Sequence, residues 1–244
     1  IPHSTYGICT NADIFARNIE ISEDGVQFEL FLWNEQVYPA RLQMMGMFNV
    51  YNALAAVATG LIMGVDPVVI CEALASVRSV PGRAEIIETH TPYKVVIDYS
   101  HSPDALENIL KTVKGFVKNH IILVFGCGGD RDHGKRPRMG EIAGWYADYS
   151  ILTSDNPRTE NPMDILADIE RGIKGTQGAY CIIENRREAI RTALSRAQSG
   201  DVVILAGKGH ETYQEINGMK RPFDEKQIVH DFLNEAAEAG GHDA

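Results

Sequence analysis

The sequence contains no long apolar run, no run of basic residues and no opening signal segment. A membrane-spanning helix needs roughly 18 to 20 consecutive apolar residues, and no stretch approaches that length. Without a basic stretch or a basic helix face, binding to the phosphate backbone of a nucleic acid is disfavoured. We therefore expect neither a membrane nor a nucleic-acid partner.

Paired cysteines, ligand-spaced histidines and nucleophile motifs are absent as well. The chain has four scattered cysteines, Cys9, Cys71, Cys127 and Cys181. They form no CxxC pair, so neither a zinc ribbon nor a disulfide framework is indicated, and a reducing cytoplasm is the expected location. His101, His133 and His210 lie at no metal-ligand spacing, and no GxSxG element supports a covalent hydrolase.

The chain has 244 residues, with 23 Lys and Arg against 33 Asp and Glu and a net charge of -10. At about 150 residues per domain, this length predicts one to two domains with a proper core, typical of an acidic soluble enzyme. The first residue is Ile1 rather than Met. This start indicates a processed, truncated or incompletely represented chain.

The first eighty residues are predicted to form β structure followed by two helices. Val26, Phe28 and Leu30 alternate with polar residues after the hairpin-type residues 23–25. The predicted helices run from Asn49 to about Met63 and from Asp66-Pro67 through Ile70, Leu74 and Val77. Residues 78–82 break the periodicity, which predicts a domain boundary at residue 81, between domains 1–81 and 82–244.

Beyond this boundary, short apolar strands alternate with helices, the pattern of an α/β fold with a parallel sheet covered on both faces. The predicted strands are Val95–Ile97, Ile121–Phe125, Tyr149–Thr153, Cys181–Ile183 and Val202–Ala206. The predicted helices begin at Ser102, about Arg136 and Asn161, and a fourth holds Ala189, Ile190, Ala193 and Leu194. The apolar residues on one face of the first helix are Leu106, Ile109, Leu110, Val113 and Val117. The tail from Glu235 to Ala244 is expected to fray.

Polar residues concentrate in four loops that follow predicted strands. The loops are residues 98–104, 126–136, 155–158 and 207–211. Because ligands of such sheets bind beyond the carboxyl ends of the strands, the four loops are expected to face one cleft.

The second loop nearly matches a phosphate-binding P-loop, with Gly129, Gly134 and Lys135 at the required spacing. Arg136 stands where the motif needs Ser or Thr to hold magnesium, and Asp130 would bring negative charge towards the phosphate. The dinucleotide motif GxGxxG fails too, because the third glycine position is Arg131. A P-loop phosphotransferase is therefore the weaker interpretation.

Charged side chains in these loops suit a small zwitterionic ligand such as an amino acid. Arg131 and Arg158 can each bind a carboxylate bidentately, and Glu211 can hold an ammonium group. Asn156 precedes Pro157, which favours an extended backbone that aims the Asn156 amide into the cleft. The alternative is that the arginines are solvated surface charges.

Six ordered motifs resemble those of the Mur ligases. They are residues 46–56 (GMFNVYNALAA), 81–83 (PGR), 98–104 (DYSHSPD), 126–137, 155–158 (DNPR) and 207–211 (GKGHE). The resemblance is strongest to the branch that adds the third residue of the peptidoglycan stem peptide. It implies that residues 1–81 are the last part of a central ATP-binding domain and that 82–244 form a Rossmann-like amino-acid-binding domain with a mostly parallel sheet.

The resemblance also implies an ATP-dependent amide-forming ligase that phosphorylates UDP-MurNAc-L-Ala-D-Glu and lets an amine attack the acyl phosphate. For the nucleotide, it implies contacts from Asn49, Asn52, Arg83 and Asp98. For the incoming amino acid, it implies contacts from Arg131, Asp155, Asn156, Pro157, Arg158, Gly207 and Glu211. The DNPR loop resembles a meso-diaminopimelate signature, since Arg158 can pair with the distal carboxylate that lysine lacks.

Members of the family are about twice as long as this chain, and their P-loop, magnesium ligands and carbamylated lysine lie upstream of the part that this chain resembles. The resemblance therefore implies that this chain is a fragment that does not catalyse alone and holds no Mg²⁺ ligands, and that the protein is a monomer. The alternatives are a non-catalytic amino-acid-binding module and the same ligase using L-lysine.

Overall fold

The computed structural model describes residues 4–8, 11–22, 24–33 and 35–240. Ile1, Cys9, Glu23 and residues 241–244 of the expected fraying tail lie outside the described residues. The chain divides into two compact units, Ile1–Val80 and Pro81–Ala244.

The first unit contains a four-stranded sheet and two helices. Its strands are β1 (Tyr6–Gly7), β2 (Ile14–Ser22), β3 (Gly25–Leu32) and β4 (Val37–Leu42), arranged in chain order. Strands β2, β3 and β4 pair antiparallel, whereas β1 pairs parallel with β2. Val26, Phe28 and Leu30 are buried in its core, as their alternation predicts.

The two predicted helices of this unit are α1 (Met47–Ile62) and α2 (Pro67–Ser76). Asp66 caps α2, because its side chain accepts a hydrogen bond from the Val68 backbone N–H at 2.8 Å. A Cβ on Gly60 would lie 2.8 Å from Ile70 Cδ1, so the glycine permits close packing of the two helices. The prediction that Val77 belongs to α2 is wrong, because Val77 is extended and follows the last residue of that helix.

The second unit is built on a six-stranded sheet. Its strands are β5 (Glu85–Ile87), β6 (Lys94–Asp98), β7 (Ile121–Phe125), β8 (Tyr149–Leu152), β9 (Ala179–Ile182) and β10 (Val202–Ala206). Their order across the sheet is β5-β6-β10-β7-β8-β9. All neighbours pair parallel except β5, which pairs antiparallel with β6 and makes the sheet mixed at one edge. The prediction of a mostly parallel sheet is confirmed.

Five helices accompany this sheet in the part of the unit that the structure describes. They are α3 (Pro103–Lys114), α4 (Lys135–Tyr146), α5 (Pro162–Ile173), α6 (Arg186–Arg196) and α7 (Glu225–Gly240). Helices α6 and α7 share one hydrophobic cluster with strand residues such as Val95 and Leu205. Alternate strand residues, such as Val96 and Ile204, are also fully buried, so both faces of the sheet are covered. Val117, predicted on α3, lies beyond its end, because the helix stops at Gly115.

The part of the chain after the fourth loop differs most from the predictions. A hairpin of β11 (Tyr213–Ile216) and β12 (Met219–Pro222) follows that loop. Helix α7 then runs to Gly240, so the expectation that the tail frays from Glu235 is wrong for residues 235–240. Ile228 and Val229 explain the helix, since both are buried in the core. Among the described residues, no helix has the length and apolar character needed to cross a membrane.

Candidate functional site

The four predicted loops meet at the carboxyl ends of the parallel strands, as expected, and we call them the rim loops. The Gly207 N–H donates to the Asp98 carbonyl at 3.0 Å, which joins the fourth loop to the first. The Gly129 N–H donates to the Asn156 carbonyl at 2.9 Å, which joins the second loop to the third. A side-chain bond of 2.8 Å between Asn156 and Glu211 joins the third loop to the fourth.

Asn156 is buried at the centre of the rim loops and its amide has one orientation. Its Oδ1 accepts hydrogen bonds from Lys208 Nζ at 3.1 Å and from the Glu215 backbone N–H at 2.9 Å. Both partners can only donate, so the amide oxygen must face them. The Nδ2 group is thereby turned towards the Glu211 carboxylate, to which it donates.

Glu211 is a partly buried carboxylate held by three side chains. Its Oε2 accepts from Asn156 at 2.8 Å and pairs with Lys208 at 3.2 Å, while the Tyr99 hydroxyl lies 3.4 Å from Oε1. Burial raises the pKa of Glu211, but the Asn156 hydrogen bond and the charge of Lys208 outweigh burial and hold that pKa below its usual value. Glu211 is therefore ionised at neutral pH, as an ammonium-binding role requires.

Arg158 is engaged within the chain and is not a solvated surface charge. Its Nε lies 3.2 Å from Glu215 Oε2, and its Nη1 donates to the Gly129 carbonyl at 2.7 Å. The side chain is 20% exposed. A guanidinium has five N–H donors, and in the described part of the chain Nη2 and the second N–H of Nη1 are left for a ligand carboxylate. The backbone of Arg158 is in the left-handed region, with φ of 53°.

The second rim loop carries Arg131, which is exposed. Its Nη1 donates to the Asp130 carbonyl at 2.9 Å. This loop is in backbone contact with the third, because a Cβ on Gly129 would lie 2.0 Å from the Pro157 carbonyl oxygen. A glycine is therefore required where the two loops cross.

Asp155 and Gly207 approach each other just as closely between the third and fourth loops. A Cβ on Gly207 would lie 2.4 Å from Asp155 Oδ2, and the glycine has φ of 118°. Asp155 is buried, and its carbonyl accepts a hydrogen bond of 2.7 Å from Gln214 Nε2 on the hairpin. The hairpin is thus hydrogen-bonded to the third rim loop and helps to hold it in place.

Asp98 and Arg83, which the resemblance assigns to the nucleotide, differ in burial and in the contacts that their side chains already make. Asp98 is buried and accepts from the Ala84 N–H at 2.7 Å and from the Ser100 hydroxyl. Arg83 is exposed, and its guanidinium lies 4.8 Å from the centre of the Tyr99 ring, a cation–π arrangement. Arg83 therefore presents a positive charge that suits a phosphate, whereas both oxygens of Asp98 are already bonded.

The other two nucleotide candidates belong to the first unit. Asn49 is buried in the first turn of α1, and its Nδ2 donates to the Met45 carbonyl at 2.8 Å. Asn52 is exposed one turn later and donates to Asn49 Oδ1 at 3.1 Å. Gly46 precedes the helix with φ of 95° and provides no side-chain cap, and its carbonyl accepts from the Asn49 N–H at 3.0 Å.

The near-match to a P-loop is structural in this chain. The Arg136 side chain is fully buried, with Nη2 at 2.8 Å from Glu160 and Nη1 at 3.0 Å from Asp168. Asp132 accepts from the Gly134 N–H at 2.8 Å, so a carboxylate occupies part of the space in front of that backbone. Within the described ranges, no group of three or more His, Cys, Asp or Glu side chains could hold a metal ion.

Three residues that the sequence analysis does not single out complete the site: Lys208, Glu215 and Tyr99. Lys208 is fully buried between the two glycines of the fourth loop and contacts both Asn156 and Glu211. The GKGHE motif contains Lys208, but a lysine in a polar loop gives no signal of burial. Glu215 belongs to β11, a strand that the sequence pattern does not predict.

Known proteins of one family are similar to this chain. Residues 82–209 match the family model described as "Mur ligase, glutamate ligase domain", and residues 1–60 match the "Mur ligase middle domain". The first match alone spans more than half of the chain. This chain belongs to the Mur ligase family.

Curated Mur ligases named UDP-N-acetylmuramoyl-L-alanyl-D-glutamate--2,6-diaminopimelate ligase are its relatives in sequence. The one from Caldanaerobacter subterraneus subsp. tengcongensis is 51% identical over 232 residues, which are 95% of this chain and 48% of the relative. The one from Geobacillus thermodenitrificans is 46% identical over 228 residues, 93% of this chain and 46% of the relative. The chain thus spans about half the length of the curated Mur ligases it matches.

Solved Mur ligase structures share its fold. A structure of a protein with the same ligase name has a TM-score of 0.67 and 40% identity, and covers 96% of this chain and 48% of its own. A UDP-N-acetylmuramate-alanine ligase from Thermotoga maritima has a TM-score of 0.71 at 20% identity, covering 97% of this chain and 48% of its own. At that identity the second likeness shows the fold alone.

Proposed function

We propose that this chain is the amino-acid-binding half of an ATP-dependent ligase that joins meso-diaminopimelate to UDP-MurNAc-L-Ala-D-Glu. One observation carries the proposal: the 155–158 loop places Asn156 against the Glu211 carboxylate and Arg158 two residues further along the rim. A negative and a positive group are thereby offered to one ligand. The names of the relatives at 51% and 46% identity support this choice of ligand.

In the proposed reaction, the γ-phosphoryl group of ATP passes to the D-glutamyl carboxylate. An unprotonated amine of the incoming amino acid then attacks the acyl carbon, the amide C–N bond forms, the acyl C–O bond to phosphate breaks, and phosphate and one amine proton leave. The residues of this chain contribute binding and orientation, because chemistry of this kind depends on positioning and on neutralised charge. Glu211 holds an ammonium group, while Arg158 and Arg131 receive carboxylates.

For the nucleotide we propose contacts from Arg83, Asn49, Asn52 and Asp98. Arg83 has the exposed positive charge that phosphates require. Asp98 can still accept from a ribose hydroxyl, because Ala84 and Ser100 use only two of the about four lone pairs of its carboxylate. We place the Mg²⁺ ligands outside this chain, and we propose that the protein is a cytoplasmic monomer.

Selectivity for meso-diaminopimelate over L-lysine is assigned to Arg158. Lysine has no distal carboxylate, so it would leave Nη2 of the partly buried guanidinium unpaired and bring its own ammonium group towards Arg158. An unpaired, partly buried charged donor costs about 1 to 3 kcal/mol. Glu215 already neutralises part of the Arg158 charge at 3.2 Å, which places the expected preference towards the lower end of that range.

The test is phosphate release and tripeptide formation by the gene-length protein, given ATP, Mg²⁺ and UDP-MurNAc-L-Ala-D-Glu, with either amino acid. We expect turnover with meso-diaminopimelate and loss of its preference over lysine in Arg158→Ala. Arg138→Ala is the matched control, because Arg138 is exposed on α4. Binding without turnover would instead indicate a non-catalytic module, and equal turnover of lysine by the wild type would refute the role of Arg158.

A further inference from the structure

We propose that Lys208 is a positioning residue that fixes the Asn156 amide and the Glu211 carboxylate in the geometry needed to receive the ammonium group of the amino acid. The inference rests on the proposed function of the rim loops. It concerns a side chain behind the ligand-facing groups, not one that contacts the reacting atoms.

Lys208 is buried within a network of polar and charged side chains. The side chain is fully buried, and its Nζ lies 3.1 Å from Asn156 Oδ1 and 3.2 Å from Glu211 Oε2. The rings of Tyr213 and Phe223 lie 5.7 and 5.9 Å from the same Nζ and shield it from water. Burial of an ammonium group is costly unless it is paired and hydrogen-bonded, so this placement depends on the two acceptors.

Lys208 shares with the Glu215 backbone N–H the role of holding the Asn156 amide oxygen away from Glu211. Without the lysine, Oδ1 would keep only the Glu215 backbone N–H as donor. The amide then has one donor fewer holding its oxygen, so its Nδ2 is held less firmly at 2.8 Å from Glu211. A neutral side chain at position 208 therefore loosens the bond between the third and fourth rim loops.

Lys208 also decides which oxygen of Glu211 remains for a ligand. Oε2 is used by Lys208 and Asn156 together, which leaves Oε1 with the Tyr99 hydroxyl at the long distance of 3.4 Å. Oε1 is thus the oxygen placed to accept from a ligand ammonium group. The same lysine, acting with Asn156, keeps this carboxylate ionised against the effect of burial.

The groups that face Glu211 give the expected pH dependence its sign. Lys208 and Asn156 lower the Glu211 pKa, and the Tyr99 hydroxyl also donates to the carboxylate. Burial and the neighbouring Glu211 raise the pKa of Tyr99, and Asp155 and Tyr213 raise it further. Removing the positive charge of Lys208 raises the Glu211 pKa, so that, as pH falls, ammonium binding is lost at a higher pH than in the wild type.

The experiment compares Lys208→Met with the wild type in the gene-length protein, using meso-diaminopimelate as the varied substrate. We expect the KM for meso-diaminopimelate to rise at least about 10-fold, with the KM for ATP unchanged. We also expect the acid limb of kcat/KM to move up by about 1 pH unit, as loss of a neighbouring opposite charge predicts. Lys208→Arg, which restores the charge, should recover part of both effects.

Lys220→Met is the matched control, because Lys220 is exposed on β12 and lies over the same Tyr213 ring at 4.1 Å. KM and the position of the acid limb do not depend on the folded fraction, and Lys208→Gln, which keeps an N–H donor, serves where the methionine variant folds poorly. An unchanged KM and acid limb in Lys208→Met, or an unchanged acid limb in Lys208→Gln, would overturn the inference. Failure of the wild type to use meso-diaminopimelate would refute the proposed function itself.

Discussion

Replacing Arg136 by Met tests whether the near-match to a P-loop has a structural role. The side chain is fully buried, and its two terminal nitrogens lie 2.8 Å from Glu160 and 3.0 Å from Asp168. Methionine fills much of the space but removes the buried partner of both carboxylates, while Asp168 keeps Arg171 and Glu160 keeps the Asp130 N–H. The variant should therefore fold less stably without any direct effect on nucleotide binding.

The size of the effect follows from the burial of each partner. Removing one member of a buried ion pair costs about 3 to 5 kcal/mol. Glu160 and Asp168 keep 20% and 19% exposure, so water can hydrate them in part. Arg136 Nε is also a buried donor without a partner in the described part of the chain, and losing it offsets about 1 kcal/mol. The low end of that range, less the offset, gives an expected net loss of about 2 kcal/mol in the free energy of unfolding.

Urea denaturation followed by far-UV circular dichroism measures this loss, with Arg138→Met on the exposed face of α4 as the control.

The difference in the free energy of unfolding between the wild type and Arg136→Met also depends on pH. The hydrogen bond from Arg136, acting against burial, lowers the Glu160 pKa. Stability from a lowered carboxyl pKa is present above the unfolded value, about 4.3, and is lost as pH falls through the folded pKa. The difference in the free energy of unfolding between wild type and variant should therefore become smaller below about pH 4. A loss under about 1 kcal/mol, or weakened ATP binding at unchanged stability, would refute the structural role.

Two further predictions concern helix α4, the helix α5 that packs against it, and the second rim loop before it. Gly172→Ala should destabilise the chain by about 3 kcal/mol, because the new Cβ would lie 1.8 Å from the Pro137 carbonyl oxygen; thermal unfolding measures this. Gly115→Ala is the control and should cost at most about 1 kcal/mol, since its Cβ would lie 3.3 Å from the Thr112 carbonyl oxygen and its φ of -69° is open to any residue. Lys135→Ala should leave nucleotide affinity, measured by calorimetry, unchanged, because Lys135 Nζ donates to the His101 carbonyl at 2.8 Å; a 10-fold loss of affinity would restore the phosphotransferase alternative.

The sheet of the second unit can be predicted because its strands are buried on both faces and so are apolar throughout. Ile121–Phe125 and Val202–Ala206 are located to the residue for that reason. The position of β10 between β6 and β7 cannot be predicted, since alternating strands and helices do not specify strand order. The short strand β5 escapes prediction because three residues give no periodicity.

Two features of the site cannot be predicted from the sequence: the hairpin of β11 and β12, and the burial of Lys208. Strand β12, with the sequence Met-Lys-Arg-Pro, is exposed along its length and has no apolar alternation. It pairs with β11, whose Glu215 binds Arg158 and Asn156. Charge in the loops indicates a zwitterionic ligand, but which charges pair with each other depends on this unpredicted hairpin.

The two glycines that flank Lys208 explain how a lysine comes to be buried there. Gly207 and Gly209 have φ of 118° and 52°, a backbone region that side chains rarely adopt. A Cβ on Gly207 would meet Asp155 Oδ2 at 2.4 Å, and one on Gly209 would meet Tyr99 Cβ at 2.7 Å. The loop can therefore press against both neighbouring loops only without side chains at these positions, and this close approach brings the ammonium group of Lys208 within reach of its two acceptors. The spacing Gly-Lys-Gly is thus a requirement for burying one positive charge beneath the site.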